Sequence, residues 1–245
     1  MCKASSLRCT PERYFAFRHY IIDEHKYSKF TATYTVPTDP PKVGKQTLYY
    51  FIGLQDEGQS LNILQPVLAW CSPGSACEDT PKWSISSWAC CPQNITFRST
   101  PVLGLRANDT VDVSINRTGA YTWSIDAHWQ GQSTTLNAAI GSYFYNYADV
   151  TLEVRAANVF IDRPFSVGGR NAASSEARVV VLPMCPVQVY SVLDCDELAP
   201  PMRFSKLALH DQSGLMKSPA WQRTEGRACS GKVTLNKETG DVTVK

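Results

Sequence analysis

Short segments of alternating apolar and polar residues, separated by turn residues, recur about every ten residues along this chain, a rhythm typical of an all-β fold. In "DTVDVSIN", Val111, Val113 and Ile115 alternate with polar side chains, as in a strand with one buried face. In "KFTATYTVP", the alternating face begins at Phe30 and ends at Val36. This pattern predicts an antiparallel β-sandwich, because few other architectures use so many half-buried strands.

Helical periodicity is weak by comparison. The best helical candidate, "RFSKLALHDQSGLM", is short. The C-terminal segment predicts a closing hairpin of Lys232–Leu235 and Asp241–Lys245 around a turn that contains glycine. With 245 residues, of which 43% are hydrophobic, the chain is long enough for one large sandwich. We therefore expect a single domain over residues 1–245.

Charge narrows the range of partners. The chain has 24 basic and 22 acidic residues, a formal net charge of +2, and no basic run. This balance argues against nucleic acid and against a membrane surface as partners. No apolar stretch approaches the roughly 18–20 residues that a membrane-spanning helix needs. We expect neither a nucleic-acid partner nor a membrane span.

Glycosylation acceptors and cysteines indicate the compartment. Acceptor triplets occur at Asn94, Asn108 and Asn116, and nine cysteines are many for a cytosolic protein. Because nine is odd, at least one cysteine lacks a disulfide partner within the chain. The start, "MCKASSLRCTPERYF", lacks the apolar core of a signal peptide. An extracellular, secreted location is nevertheless favoured.

The segment "ILQPVLAW", from Ile63 to Trp70, places a glutamine inside an apolar run. In a strand, Gln65 shares a face with Val67, while Leu68 and Trp70 lie on the other. Both faces are apolar, so the strand should be buried on both sides. A buried amide needs hydrogen-bond partners. Gln65 is therefore either a satisfied structural amide or the wall of a cleft.

A second polar stretch lies in "YADVTLEV", where Asp149, Thr151 and Glu153 share one face of a strand and valine and leucine form the other. This face is either exposed to solvent or lines the concave side of a curved sheet.

Together these two segments resemble motifs of the eqolisins, the fungal glutamic peptidases. "ILQ" looks like the glutamine motif of that family, and "ADVTLE" is similar to its "AEWIVE"-type motif. "FTATYTVP" and "YYFIGLQ" occupy the places of two upstream family segments, and the resemblance covers roughly Phe30 to Pro164. It leaves residues 1–28 as an N-terminal extension and residues 184–203 as an insertion or loop. The resemblance implies a concanavalin A-like sandwich of two curved antiparallel sheets.

The resemblance also implies site residues. Gln65 and Glu153 take the places of the catalytic dyad. The family's tryptophan and aspartate in "WVGIDG" fall on Phe51 and Gln55, and the first acid of "AEWIVE" becomes Asp149. The "EWYP" segment is replaced by "ACCP", with Trp88 standing in for one aromatic residue. We expect five residues to bind substrate: Phe51, Gln55, Trp70, Trp88 and Asp149.

The predicted function is that of a secreted, acid-acting glutamic endopeptidase, a monomer that cleaves protein or peptide substrates without a cofactor or metal. The four histidines lack metal-ligand spacing. Because residues around the dyad differ from the family pattern, an inactive or lectin-like carbohydrate-binding sandwich is the alternative. A glycosidase would need a further acid from a neighbouring strand, because Asp149 and Glu153 lie about 13 Å apart along one strand.

Overall fold

The structure is a computed structural model. It describes residues 13–20, 27–40, 46–56, 62–71, 82–90, 95–140, 145–156, 178–180, 201–216, 221–224, 233–236, 239 and 241–244. These residues form 17 strands and no helix. In chain order the strands are β1 (Arg13–Tyr20), β2 (Tyr27–Thr35), β3 (Gln46–Gln55), β4 (Ile63–Cys71), β5 (Trp83–Cys90), β6 (Thr96–Arg98), β7 (Val102–Leu105), β8 (Thr110–Arg117), β9 (Thr122–Trp129), β10 (Gln132–Ala139), β11 (Tyr147–Ala156), β12 (Arg178–Val180), β13 (Met202–Asp211), β14 (Gly214–Leu215), β15 (Gln222–Thr224), β16 (Val233–Leu235) and β17 (Val242–Val244).

The strands form two antiparallel sheets. The first sheet has the order β12-β6-β5-β4-β3-β11-β1-β15, with β7 paired to β5. The second has the order β10-β9-β8-β2-β13-β17-β16, with β14 paired to β13. The predicted all-β sandwich is confirmed.

One hydrophobic core lies between the sheets. The second sheet contributes the alternating face of β2, from Phe30 onward, and the face of β8 that carries Val111, Val113 and Ile115. The first sheet contributes alternate residues of β3, β4, β5 and β11. Period-2 alternation therefore assigned the inward faces of β2 and β8 correctly.

The first sheet also carries apolar residues on its other face. There a second, smaller cluster of buried residues contains Tyr49, Phe51, Val67, Ala69, Cys71 and Trp88. Eight of the nine residues of β4 are buried, which confirms the prediction that this strand is covered on both sides. We call the outward-pointing side of the first sheet, which carries this cluster, the site face.

Other predictions have mixed outcomes. The closing hairpin is confirmed by the β16–β17 pairing. The helical candidate was wrong, because its residues form β13 and β14; β13 pairs with β2 and β17. Its alternation is disturbed by a bulge where Lys206 has a φ of 52°. The expected N-terminal extension contains β1, which pairs with β11. The expected insertion at 184–203 lies largely outside the described residues.

No helix in the part of the chain that the structure describes is long and apolar enough to cross a membrane.

Candidate active site

Gln65 lies near the start of β4 and points to the site face. Its side chain is only 5% exposed, and its Oε1 atom has no hydrogen-bond partner among the described residues. A buried polar atom left in this state costs about 1–3 kcal/mol. Within the described part of the chain, the amide oxygen of Gln65 is thus unsatisfied, which favours the cleft hypothesis over the structural one.

Asp149, on β11, is a buried carboxylate that reaches over the neighbouring strand β3. It pairs with Gly53 of β3, and it is only 6% exposed. A Cβ atom added to Gly53 would overlap Asp149 Oδ1, and would lie 3.2 Å from Asp149 Cγ and 2.8 Å from Ile63 Cδ1. The carboxylate thus leans across β3 toward β4, in space that only a glycine at position 53 leaves open.

The strand registers place these residues in one row across the sheet. Trp88 of β5 pairs with Gln65 of β4, and Asp149 of β11 pairs with Gly53 of β3. The β3–β4 register, with Phe51 opposite Val67, puts Gly53 opposite Gln65. Since neighbouring strands lie about 4.8 Å apart, the backbones of Gln65 and Asp149 are separated by about 10 Å, and the strand residue between them, Gly53, has no side chain.

Glu153 does not lie in this row. It pairs with Tyr49, and Tyr49 pairs with Ala69, four residues along β4 from Gln65. Four residues of strand span about 13 Å, in addition to the two strand spacings. The register therefore places Glu153 farther from Gln65 than Asp149, which lies in the same row as Gln65.

The polar face of β11 is not solvated. Asp149 and Thr151 are buried, and Glu153 is half-buried. Thr151 Oγ1, like Gln65 Oε1, has no hydrogen-bond partner among the described residues. The face of β11 that alternation identified as polar therefore lines a covered part of the site face.

Aromatic residues line the row on the side of β5. The rings of Tyr49 and Trp88 meet edge to face with centroids 5.3 Å apart, and Trp88 Nε1 donates to Ser86 Oγ at 2.6 Å. The guanidinium of Arg98 stacks on Trp88, with its carbon 3.9 Å from the ring centroid. Such stacking fixes a cation against an aromatic face. Phe51 belongs to the same wall.

Trp70, which we expected to bind substrate, lies away from the cleft. It points into the core between the sheets together with Trp83, and the two rings are 5.3 Å apart. The assignment of Trp70 to substrate binding was therefore wrong, because Trp70 lies on the opposite face of β4 from Gln65. Gln55 shares the site face but lies at the end of β3, where it pairs with Ile63.

A tyrosine from the other sheet reaches the same region. Tyr34 of β2 is fully buried, and burial raises its pKa well above the usual range, with a further increase from the negative charge of Asp149. Its hydroxyl accepts a hydrogen bond from the Ile52 N–H at 2.7 Å and donates one to Pro66 O at 3.0 Å.

Four residues of this region were not among the predicted site residues: Gly53, Tyr49, Arg98 and Tyr34. Two signals were available. A glycine inside a strand often marks the close approach of another group, and "FIGL" contains one. A proline inside a central strand, as in "ILQPV", indicates an interrupted ladder. Nothing local indicates Tyr34, which comes from the other sheet.

A separate open cleft of about 500 Å³ lies along the second sheet, where its lining includes Asp109, Asp112, His128 and Trp129. Trp129 is only 9% exposed. The aromatic residues of the site face are also buried.

No protein-family model matches the chain, and no curated protein matches it. Several solved structures match the chain. Scytalido-glutamic peptidase, in complexes with a peptide-based and a second transition-state analogue, aligns at 12% and 13% identity with a TM-score of 0.60. Both alignments cover 96% of this chain and 98% of the other.

The chain has the fold of the glutamic peptidases. SCP-B, an eqolisin bound to the tripeptide Ala-Ile-His, aligns over the same shares of the two chains at 12% identity and a TM-score of 0.58. The eqolisin-like sandwich expected from the short motifs is thus found over nearly the whole length of the chain, at low sequence identity.

Proposed function

We propose that this protein is a secreted, acid-acting endopeptidase in which Gln65 and Asp149 hydrolyse the peptide bond. The observation that carries the proposal is the buried amide of Gln65, whose oxygen has no hydrogen-bond partner among the described residues, in one row with a buried carboxylate. A protein retains such an arrangement at a cost in stability, which is typical of functional sites.

Asp149 would act as the general base. Its ionised carboxylate takes a proton from a water molecule as the water oxygen attacks the peptide carbonyl carbon. The same proton then passes from Asp149 to the leaving nitrogen as the C–N bond breaks. The products are a carboxylic acid and an amine, and the carboxylate is regenerated.

Gln65 would stabilise the oxyanion. Its side-chain N–H donates to the oxygen that becomes negative when water adds, and its carbonyl oxygen accepts a hydrogen bond from the attacking water. One such donor contributes on the order of 2.7–4 kcal/mol to transition-state stabilisation. An amide suits this position because it is neutral and adds no charge beside the carboxylate.

This chemistry is suited to acid. Carboxyl groups ordinarily titrate near pH 4, so a carboxylate remains an active base at pH values where a histidine would be protonated. The substrate would be an extended peptide lying against Tyr49, Phe51 and Trp88. Solved structures that share the fold bind a peptide-based transition-state analogue and a tripeptide, which supports a peptide ligand.

Secretion is part of the proposal. The chain has nine cysteines, many for a cytosolic protein of this length, which supports an oxidising compartment. Asn108, one of the three proposed glycosylation sites, is exposed in a turn with a φ of 69°. Asn116 is half-buried and donates to Ser114 Oγ at 2.8 Å, and Asn94 lies outside the described residues.

The test is digestion of an unfolded protein substrate between about pH 2 and 7 by the purified chain and by Gln65→Ala, with folding checked by circular dichroism. We expect cleavage at acid pH that is lost in the variant. A folded wild-type protein that cleaves nothing across this range would overturn the proposal.

A further inference from the structure

Pro66 occupies an unusual place for a proline. It lies in β4, which pairs with β3 on one side and β5 on the other. Proline has no N–H to donate to a ladder, and in sheets it is largely confined to edges and bulges. The β3–β4 pairing runs to Phe51 and Val67, skips two residues on each strand, and resumes at Leu54 and Leu64.

The hydroxyl of Tyr34 fills this interruption. It accepts a hydrogen bond from the Ile52 N–H and donates one to Pro66 O. The Tyr34 oxygen thus lies between a backbone N–H and a backbone C=O that would otherwise bond to each other. Both backbone groups are satisfied although the strands are apart. Compared with a direct N–H···O bond, the inserted oxygen widens the β3–β4 separation by about 1–2 Å.

The interruption adjoins the site. Gly53 follows Ile52 directly, and Gln65 precedes Pro66 directly. The carboxylate of Asp149 lies over Gly53, and its charge acts on the Tyr34 phenol. A change in strand separation at Ile52 and Pro66 would therefore move Gln65 relative to Asp149.

We propose that Tyr34 and Pro66 form a wedge that holds β3 and β4 apart and thereby sets the position of Gln65 relative to Asp149. Tyr34 is then a positioning residue, since it reaches the reaction only through the backbone. This inference rests on the proposed peptidase function. The expected effect is large, because a misplacement of about 1 Å can reduce a rate on the order of 10²-fold.

The test compares Tyr34→Phe, Pro66→Ala and the double variant. Tyr34→Phe leaves the Ile52 N–H and Pro66 O without the hydroxyl, so both stability and kcat should fall. In the double variant, the proline ring no longer separates the strands, and the Ile52 N–H can donate directly to the carbonyl oxygen at position 66. We expect the denaturation midpoint to recover toward that of the wild type, while kcat stays at least about tenfold lower with a smaller change in KM.

A purely structural role for Tyr34 makes the opposite prediction, that kcat recovers together with stability in the double variant. That result would overturn the wedge. If Tyr34→Phe fails to fold, the double variant is compared with Pro66→Ala and the wild type in the same way.

A readout that needs no activity separates this inference from the proposed function. In the wild type and the double variant, NMR would follow the side-chain amide resonances of Gln65 and the titration of the Asp149 carboxyl carbon. We expect both to differ between the two proteins. Coincident amide resonances and titration curves would overturn the wedge, whereas absent cleavage with differing spectra would overturn only the peptidase proposal.

Discussion

The carboxylate of Asp149 lies over the Cα atom of Gly53, in the space that a side chain at position 53 would fill. The two residues are cross-strand partners on β11 and β3. The missing side chain of Gly53 therefore gives Asp149 access to the strand that carries Gln65.

Gly53→Ala should expel the carboxylate from this space. The added methyl group overlaps Asp149 Oδ1, and crowding of this kind typically costs about 1–3 kcal/mol. We expect peptidase activity to fall by at least about 100-fold. The double variant Gly53→Ala/Asp149→Ala should regain stability but not activity. Equal stability of the two variants in urea unfolding would show that Asp149 does not fill the space.

Gln65→Met should make the protein more stable and inactive. The substitution removes a buried oxygen without a hydrogen-bond partner among the described residues and keeps a similar side-chain volume. Removing an unsatisfied polar group should raise the free energy of unfolding by about 1–3 kcal/mol. Thr151→Val is the matched control, since Thr151 Oγ1 is also buried without a hydrogen-bond partner among the described residues. A loss of stability in Gln65→Met, measured by urea unfolding, would mean that the amide is satisfied after all.

Alternation in the sequence predicted the faces of the strands but not their registers. It correctly grouped Asp149, Thr151 and Glu153 on one face of β11, and it placed Trp70 opposite Gln65 on β4. Which acid meets Gln65 depends on how β4, β3 and β11 align, and those pairings join segments far apart in the sequence. A shift of β11 by four residues would bring Glu153 into the row of Gln65 in place of Asp149, and no local pattern encodes this register.

The structure of the interruption between β3 and β4 could not be predicted from the sequence either. "ILQPV" shows that the ladder must be broken at Pro66, but the group that repairs it comes from β2 in the other sheet. The burial of the β11 polar face also depends on tertiary packing, because alternation gives the same pattern for a solvated face and a covered one.

Trp88 should report on peptide binding, and Trp70 should not. Trp88 pairs with Gln65 on the site face, whereas Trp70 packs on Trp83 in the core. A non-cleaved peptide should change the intrinsic fluorescence of the wild type and of Trp70→Phe, and the change should be much smaller in Trp88→Phe. The reverse pattern would place the peptide elsewhere.

His210 should reduce stability in acid. Burial and the charge of Lys29 lower its pKa in the folded state, with Asp211 acting in the opposite direction. The unfolded chain therefore binds the proton more readily, and stability is lost as the pH falls below about 6.5. His210→Gln should gain stability relative to the wild type at about pH 5 compared with about pH 8, by less than about 1 kcal/mol because the site is partly exposed. In a Lys29→Gln background, the stability gained by His210→Gln should differ less between the two pH values. An equal effect of His210→Gln at both would contradict the assignment.

Whether Asp149 is the general base is tested by the kcat of Asp149→Asn and of Glu153→Gln at acid pH on one peptide substrate, with folding verified for both. The two substitutions make the same chemical change on the same face of one strand. If Asp149 is the general base, Asp149→Asn should lose on the order of 10²- to 10⁴-fold in kcat, whereas Glu153→Gln should retain most of the activity. Loss of activity in Glu153→Gln with an active Asp149→Asn would show that Asp149 is not the general base.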